Sequence, residues 1–394
     1  MCHNGGDFPW AWPLPLQSKL PAAGTTIFTI MSKLAADEDA INLSQGYPDF
    51  GAPPKLLERV NHYIRAGYNQ YPPMSGIEPL RAAIANKVAA QYGTKVDSES
   101  EVTVSSGATE ALFCAIHAVT RAGDEAIVFD PCYDSYEPAV TLAGGTCKHL
   151  PLSAPDFHID WDRVADAIGE RTRLLVVNSP HNPTGAAWDE RDIEGLRAAI
   201  GDRDIYVVSD EVYEHIVFDG RRHESLVRYP DLFERSFVVS SFGKTNHTTG
   251  WKVGYCVAPA PLSAEFRRIH QFVNFTTPTP LQHGIADFLV ECPEHHEELP
   301  AFYQAKRDLF CELLGESRFR LQPSKGTFFQ LLDYGAITNE HDADLARRWT
   351  VEHKVASIPV SIFYAQPPEQ RYLRFCFAKD DSTLAQAAQI LSCL

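Results

Sequence analysis

Lys244 is the residue whose type and surroundings most clearly suggest a role in chemistry. It lies in Ser240–Thr245, among small and hydroxyl residues at the end of an apolar run. A lysine in such a place can form a Schiff base with an aldehyde cofactor, or it can be an ordinary exposed loop lysine. Gly243-Lys244-Thr245 does not complete a P-loop, because Val238 stands where that motif requires glycine.

Asp210 and Tyr213 form a second candidate pair. Asp210 follows the apolar run 205–208, and Tyr213 lies three residues further on. A buried carboxylate can hold a pyridine nitrogen protonated, and a tyrosine hydroxyl can donate a hydrogen bond to a phenolate oxygen. A helix cap or salt bridge for Asp210 and a core position for Tyr213 are the alternatives.

Two further segments contain features typical of ligand-binding loops. Ser179–Gly185 has the composition of a turn, which explains its prolines. A turn alone does not explain why His181 and Asn182 both stand there. Ser105–Thr109 leads from a predicted strand into a predicted helix, where backbone N–H groups and the helix dipole favour an anion. A helix start without a ligand is the simpler interpretation of that segment.

Arg374 lies among apolar neighbours in a predicted strand, 372–377. A buried guanidinium requires a partner. A substrate carboxylate could serve through two parallel hydrogen bonds, and an internal Asp or Glu could serve equally well.

The elements that must position these residues form an α/β pattern. Six apolar runs predict strands at 101–105, 126–129, 174–177, 205–208, 237–240 and 253–257. Helices are predicted between them, for example at 108–120 and 189–200. Runs of this kind are typical of strands buried on both faces of a mostly parallel sheet. Because ligands bind at the carboxyl ends of such strands, we expect the polar segments after three of them to converge.

The rest of the chain has a different pattern. A long helix is predicted at 299–314, then strands near 327–332, 356–359 and 372–377, and a closing helix from about 382. We therefore predict a large domain with a mostly parallel sheet (61–289), a smaller α+β domain (26–60 and 290–394) and an N-terminal arm (1–25). His295-His296 is expected on the solvated surface.

Composition excludes several functional classes. The net charge of −16 argues against nucleic acid or an anionic membrane as partners. The nine cysteines include no CxxC pair, which favours reduced thiols in a cytoplasmic protein without a metal site. The first 21 residues lack the pattern of a secretory signal.

Four separated motifs resemble those of the fold-type I, class I/II aminotransferases: Asn182–Gly185, Ser209–Tyr213, Ser241–Lys244 and Thr249–Tyr255. Asn42–Phe50 and Ala356–Phe363 are similar to the kynurenine/glutamine aminotransferase branch. The resemblance extends from about residue 17 to the C-terminus. It implies an aspartate aminotransferase-like fold that uses pyridoxal 5′-phosphate (PLP).

The resemblance also implies roles for individual residues. Lys244 is similar to the lysine that forms the Schiff base, with Asp210 and Tyr213 beside it as catalytic partners. The implied cofactor-binding residues are Tyr71, Gly107, Ala108, Thr109, Tyr133, Asn182, Asp210, Tyr213, Ser241, Lys244 and Lys252. The implied substrate-binding residues are Phe28, Gly46, Tyr47, Asn182 and Arg374. Tyr71 resembles the tyrosine that reaches the cofactor phosphate of the neighbouring subunit in a homodimer.

The predicted reaction moves an amino group from a neutral, sulfur-containing or aromatic L-amino acid to a 2-oxo acid. No second arginine motif for a distal carboxylate is evident, which favours a neutral or aromatic side chain over that of aspartate. The family resemblance implies methionine as the favoured donor. A cysteine-conjugate C–S β-lyase is the alternative within the fold. A non-enzymatic regulator is disfavoured, because only about twenty residues precede the matching segment.

Overall fold

The computed structural model describes residues 17–21 and 23–394, so most of the predicted arm lies outside the described residues. The helices are α1 (Ile27–Asp37), α2 (Pro54–Arg65), α3 (Glu78–Tyr92), α4 (Ala108–Val119), α5 (Tyr136–Leu142), α6 (Trp161–Ala167), α7 (Glu190–Ile200), α8 (Pro230–Phe233), α9 (Phe242–Thr245), α10 (Ala260–Val273), α11 (Thr279–Glu291), α12 (Glu294–Leu313), α13 (Asp342–Glu352) and α14 (Asp381–Leu391). The strands are β1 (Ile41–Asn42), β2 (Val102–Ser105), β3 (Glu125–Asp130), β4 (Thr146–Pro151), β5 (Thr172–Asn178), β6 (Tyr206–Asp210), β7 (Ser236–Ser241), β8 (Gly254–Val257), β9 (Phe329–Asp333), β10 (Val355–Ala356), β11 (Ile358–Pro359) and β12 (Tyr372–Cys376).

A seven-stranded sheet organises the larger part of the chain, in the order β2-β8-β7-β6-β5-β3-β4. The pairings among β7, β6, β5, β3 and β4 are parallel, and β8 runs antiparallel to both of its neighbours. The prediction of a mostly parallel sheet is therefore confirmed.

Both faces of this sheet are buried, as the apolar runs predicted. In β5, Leu175 and Val177 belong to one hydrophobic cluster, while Leu174 and Val176 belong to another. This alternation follows from the two-residue period of a strand, which directs successive side chains to opposite faces. One cluster includes apolar side chains from α3 and α11, and the other includes side chains from α4 and α10.

The carboxyl ends of the central strands lie in register at one edge. Asn178 at the end of β5 pairs with Asp210 at the end of β6, and Asp210 pairs with Val239 of β7. Ser241 ends β7 and caps α9, the short helix that contains Lys244. The polar segments are thus brought to the same edge, as expected for ligand sites in α/β sheets.

A second region is built around the three-stranded antiparallel sheet β11-β12-β9. Its apolar side chains form a separate cluster that includes Phe310, Trp349 and Leu384 from α12, α13 and α14. The predicted strand 356–359 is two short strands, since Ala356 pairs with β1 and Ile358 pairs with β12. The exact domain boundaries stay a prediction.

Two sequence expectations about α12 are wrong. The helix begins at Glu294 rather than Leu299, and it accommodates Pro300. His295 and His296 are half-buried rather than solvated: the ring of His296 lies 4.8 Å from that of His215, and His295 Nε2 donates to the Thr245 carbonyl. Within the described residues, the helices are too short or too polar to cross a bilayer.

Candidate active site

A cavity of about 350 Å³ lies at the carboxyl ends of the strands and extends to the three-stranded sheet. Every predicted site residue except Tyr71 lines this cavity. Its lining includes Phe28, Gly46, Tyr47, Gly107, Ala108, Thr109, Tyr133, Asn182, Asp210, Tyr213, Ser241, Lys244, Lys252 and Arg374.

Lys244 lies in the middle of this cavity. Its ammonium donates to the Gly46 carbonyl at 2.9 Å and lies 5.6 Å and 5.1 Å from the ring centres of Tyr213 and Phe328. Burial lowers the pKa of Lys244 to about 8, because a charged amine is poorly solvated there. An appreciable fraction of this amine is therefore neutral and nucleophilic near neutral pH.

Asp210 is a buried carboxylate at the end of β6. Burial raises the pKa of Asp210 to about 6, and hydrogen bonds from the Tyr136 hydroxyl (2.7 Å) and the Val212 N–H (3.3 Å) oppose that rise. A carboxylate so placed is ionised at neutral pH, and it can stabilise a protonated ring nitrogen.

Two tyrosines line the cavity on opposite elements. Tyr213 is buried and packs edge-on against Phe328 and Phe329, and burial raises its pKa well above the ordinary value. Tyr133 lies near α4, with its hydroxyl 3.5 Å from Thr109 Oγ1. Both hydroxyls are therefore protonated at neutral pH and available as donors.

The start of α4 is shaped to receive an anion. Gly107 caps the helix with φ +80°, and a Cβ there would lie 3.1 Å from Lys252 Cε. Lys252 itself adopts a left-handed backbone conformation, φ +54°, that points its side chain to this helix start. A cation beside a helix N-terminus is a suitable setting for a phosphate.

Arg374 lies at the other end of the cavity, on β12. Its two terminal nitrogens donate to Asn182 Oδ1 (2.7 Å) and to the Ser44 carbonyl (2.9 Å), and its Nε has no partner among the described residues. The guanidinium carbon lies 3.9 Å from the ring centre of Phe329. Burial lowers the pKa of Arg374 to about 10, so the side chain stays charged at neutral pH.

Close packing explains the glycine at position 46. A Cβ at Gly46 would lie 2.6 Å from Phe329 Cζ, so a larger residue would displace the ring that covers Arg374. Phe28 lies over the same guanidinium at 5.3 Å, and its ring is 5.9 Å from that of Phe363. This end of the cavity is accordingly cationic at its base and aromatic at its walls.

Tyr71 is the predicted residue that the structure does not bring into the cavity. It is 86% exposed, and its ring contacts Phe275 edge-on at 5.7 Å between centroids. The predicted role of Tyr71 is at the neighbouring subunit, so its position in one chain leaves that role a prediction.

Sequence reasoning missed Tyr136 and Phe329. Tyr136 donates to Asp210, and Phe329 covers Arg374. No motif marks either residue, since Tyr136 resembles a core aromatic of α5 and Phe329 belongs to an ordinary apolar strand. Their roles depend on contacts between distant parts of the chain.

The charge balance defines what the cavity can hold. Lys244, Lys252 and Arg374 are cations without an ion pair to any described carboxylate, and Asp210 is the buried acid among them. The Lys244 amine suits an aldehyde, and the Asp210 carboxylate suits a pyridine nitrogen. The two separated cations, Lys252 and Arg374, suit a phosphate and a substrate carboxylate. The site residues therefore fit PLP.

Two groups of metal-ligating side chains form elsewhere: Glu110, Cys114 and His270, and Asp130, Cys132 and His149. Sequence spacing did not indicate either group. In each, the carboxylate is hydrogen-bonded to the histidine, at 2.7 Å and 2.8 Å. Burial raises the pKa of both thiols, which favours hydrogen-bonded networks over thiolate ligands. The eight described cysteines are free.

Comparison with known proteins identifies the family. The model of aminotransferase class I and II matches residues 38–391. The chain belongs to the class I and II aminotransferases. The sequence resemblance is thereby confirmed.

Individual relatives agree with this family. This aminotransferase is 52% identical to the methionine aminotransferase of Escherichia coli (strain K12), over 96% of this chain and 98% of that protein. A solved Escherichia coli methionine aminotransferase superposes with a TM-score of 0.94 at 51% identity, covering 97% of this chain and all of that one. Human kynurenine–oxoglutarate transaminase 1 is 32% identical over 89% of this chain and 92% of its own.

The fold is that of the aspartate aminotransferase-like enzymes. The aspartate aminotransferase of Thermus thermophilus superposes with a TM-score of 0.88 at 29% identity, over 96% of this chain and 99% of that one. The predicted fold class and enzyme class are both confirmed.

Proposed function

We propose that this aminotransferase uses PLP to transfer the amino group of methionine, or of a related neutral or aromatic L-amino acid, to a 2-oxo acid. The observation that carries the proposal is the arrangement of Lys244, Asp210 and Arg374 in one cavity with aromatic walls. The 52% identity to a methionine aminotransferase supports methionine as donor.

The geometry of the cavity supports the proposed cofactor contacts. Lys252, Ser241 and the start of α4 (Gly107, Ala108 and Thr109) would hold the phosphate, Asp210 the ring nitrogen, and Tyr133 one ring face. Tyr213 and Asn182 would donate to the ring oxygen. When bound, PLP supplies an aldehyde for an amine and an electron-withdrawing ring.

The protein's own residues bind and orient the substrate and transfer the proton. Arg374 binds and orients the substrate carboxylate, with Gly46 beside it, while Asp210 keeps a proton on the ring nitrogen. The Lys244 amine would take the proton from the substrate Cα and deliver it across the amino nitrogen, to the carbon that the PLP aldehyde supplies. Positioned proton transfer of this kind contributes roughly 10²–10⁴-fold to a rate. Phe28 and Tyr47 line the space for the side chain.

The cavity favours an apolar side chain in the donor. Phe28, Phe329 and Phe363 surround the guanidinium of Arg374. Among the described lining residues, no second arginine is available for a distal carboxylate. A thioether or aromatic side chain fits this setting better than a carboxylate does.

A half-reaction scan tests the proposal. The cofactor-loaded protein is mixed with single amino acids, and loss of its visible absorbance and formation of the 2-oxo acid are measured. Methionine is expected to react fastest, followed by aromatic amino acids, with aspartate slowest. Fast reaction with aspartate would overturn the donor assignment, and release of pyruvate from cysteine conjugates without an acceptor would favour the β-lyase.

A homodimer in which Tyr71 completes the neighbouring cofactor site is part of the proposal. The exposure of Tyr71 and its contact with Phe275 support it. Sedimentation of Tyr71→Phe and wild type should show dimers for both, with weaker PLP retention in the variant. The cytoplasmic location stays a prediction.

A further inference from the structure

His270 lies in the last turn of α10 and is fully buried, although it does not line the active-site cavity. Its ring lies against that of Phe266, with 6.0 Å between the centroids, which fixes the orientation of the imidazole. Nδ1 lies 2.7 Å from Glu110 Oε1, and Nε2 donates to the Met74 carbonyl at 3.0 Å. A buried histidine that is bonded through both nitrogens to different parts of the chain holds those parts together.

One of these parts is the turn that leads into α4. Glu110 lies in the first turn of α4, and its Oε2 accepts a hydrogen bond from the Ser106 N–H at 3.0 Å. Its Oε1 accepts from the Cys114 thiol at 2.9 Å, in addition to its bond with His270. Ser106 immediately precedes Gly107, the first of the proposed phosphate-binding residues in this turn. His270 therefore holds, through Glu110, the backbone that enters the proposed phosphate site.

The same turn is held from a second side. Asn274 Nδ2 donates to Ser106 Oγ at 2.6 Å, and Thr277 Oγ1 lies 3.2 Å from the same oxygen. Asn274 is the residue at which α10 ends, so the helix that contains His270 also delivers these contacts. The backbone and the side chain of Ser106 are thus both fixed by groups at, or just beyond, the C-terminal end of α10.

The other part of the chain that His270 holds is the segment that contains Tyr71. Met74 lies three residues after Tyr71, and its carbonyl can only accept, so His270 Nε2 carries a proton. Thr276 Oγ1 donates to the neighbouring Pro73 carbonyl at 3.4 Å. His270 therefore connects the turn that is proposed to bind the phosphate of its own site with the segment that is proposed to reach the phosphate of the neighbouring site.

We propose that His270 is a positioning residue for the cofactor phosphate and acts through Glu110 and Met74. The inference rests on the proposed function, because it takes PLP as the cofactor. Without the imidazole, the Met74 carbonyl and Glu110 Oε1 each lose a hydrogen-bond partner, and a buried polar group without a partner is costly. Both phosphate-binding segments should then shift. Lys244 and Asp210, which would meet the aldehyde and the ring, lie on α9 and β6, outside this network.

Because the expected effect is specific to the phosphate, the test compares PLP with pyridoxal, which lacks it. Cofactor-free, full-length protein is titrated with each compound, and the dissociation constants are obtained from the change in visible absorbance. His270→Phe should weaken PLP binding at least about tenfold and pyridoxal binding less than about threefold. Glu110→Ala should show the same selectivity, since it leaves the Ser106 N–H without its acceptor. It also serves as the second variant if the larger phenylalanine prevents folding.

Two control variants isolate the hydrogen bonds. In Glu110→Gln, the amide oxygen can accept from the Ser106 N–H and the amide nitrogen can donate to His270 Nδ1, so PLP affinity should stay within about threefold of wild type. His117→Phe is the matched control, because this histidine lies in the last turn of α4, with its ring stacked on Phe113 at 3.9 Å. It should change neither affinity. Far-ultraviolet circular dichroism shows whether each variant is folded.

Selective loss of PLP binding in His270→Phe or Glu110→Ala, with binding retained in Glu110→Gln, would support the proposal. Unchanged PLP affinity in a folded His270→Phe or Glu110→Ala variant would overturn it. Equal weakening of PLP and pyridoxal would also overturn it, because that result indicates a general loss of structure. Wild-type protein that bound neither compound would overturn the proposed function and this inference with it, so the two failures are distinguishable.

Discussion

The active-site cavity and the buried Lys87–Glu214 pair beside α3 contain similar residue types in different electrical states. Among the described residues, Lys244 and Arg374 have only neutral hydrogen-bond partners. Lys87 is paired with the Glu214 carboxylate at 2.7 Å and also donates to the Tyr255 hydroxyl. A buried cation without an internal counterion is suited to a ligand, whereas a paired one is part of the folded structure. Substitutions should therefore affect catalysis in the active-site cavity and stability at the Lys87–Glu214 pair.

Lys244→Ala should have the largest effect. Loss of the amine removes both the attachment point and the proton carrier, so turnover should fall by at least about 10⁴-fold, while thermal unfolding changes little. Steady-state kinetics and calorimetry measure the two. Lys95→Ala, at an exposed position, is the control and should retain full activity. Activity within tenfold of wild type in Lys244→Ala would contradict the assignment of this lysine.

Lys87→Met should lower the stability of the protein rather than its turnover. It leaves the Glu214 carboxylate buried without its cation, which typically costs about 3–5 kcal/mol of unfolding free energy. Denaturant titration measures that loss. The double variant Lys87→Met/Glu214→Gln should recover part of it, because no charge is then buried. A loss below about 1 kcal/mol in the single variant would show that water reaches Glu214.

Arg374→Met should lower kcat/KM for methionine by about 10²-fold, since two charge-assisted hydrogen bonds to the substrate carboxylate are lost. The stability of the protein should be little changed. 3-Methylthiopropylamine, which lacks the carboxylate, is the matched substrate. If the variant lost as much activity towards this amine as towards methionine, Arg374 would not act through the carboxylate.

The pH dependence of cofactor capture gives the smallest expected effect. The neutral amine of Lys244 is the reactive form, and its pKa is lowered to about 8. Stopped-flow absorbance of the cofactor-free protein mixed with PLP should show a rate that rises about tenfold per pH unit below pH 8 and levels off above it. A rate that kept rising to pH 10 would indicate an ordinary, unshifted lysine.

The sequence predicted six of the seven strands of the large sheet because those strands are buried on both faces, and it missed the partly exposed edge strand β4. Continuous apolar runs then mark the strands directly, and polar residues such as Asp210 mark their ends. Helix α12 was less predictable, since the burial of His296 depends on His215, 81 positions away in the chain.

The candidate site was predictable to the extent that it lies in local motifs. Lys244, Asp210 and Asn182 are each surrounded by characteristic neighbours. Tyr136 and Phe329 were not predictable, because their importance comes only from contacts with Asp210 and Arg374. The pairing of Lys87 with Glu214 had no sequence signal, since the two residues are 127 positions apart in the chain.

The ring of Phe329 has a consequence for stereochemistry. A guanidinium is flat, and an aromatic ring at 3.9 Å blocks approach from that face. A carboxylate must then meet Arg374 edge-on, in the plane set by strand β12. On the proposed role of Arg374, the three-stranded sheet would determine how an incoming amino acid is rotated about its Cα–carboxylate bond, and a round lysine ammonium at this position would select for charge without selecting for orientation.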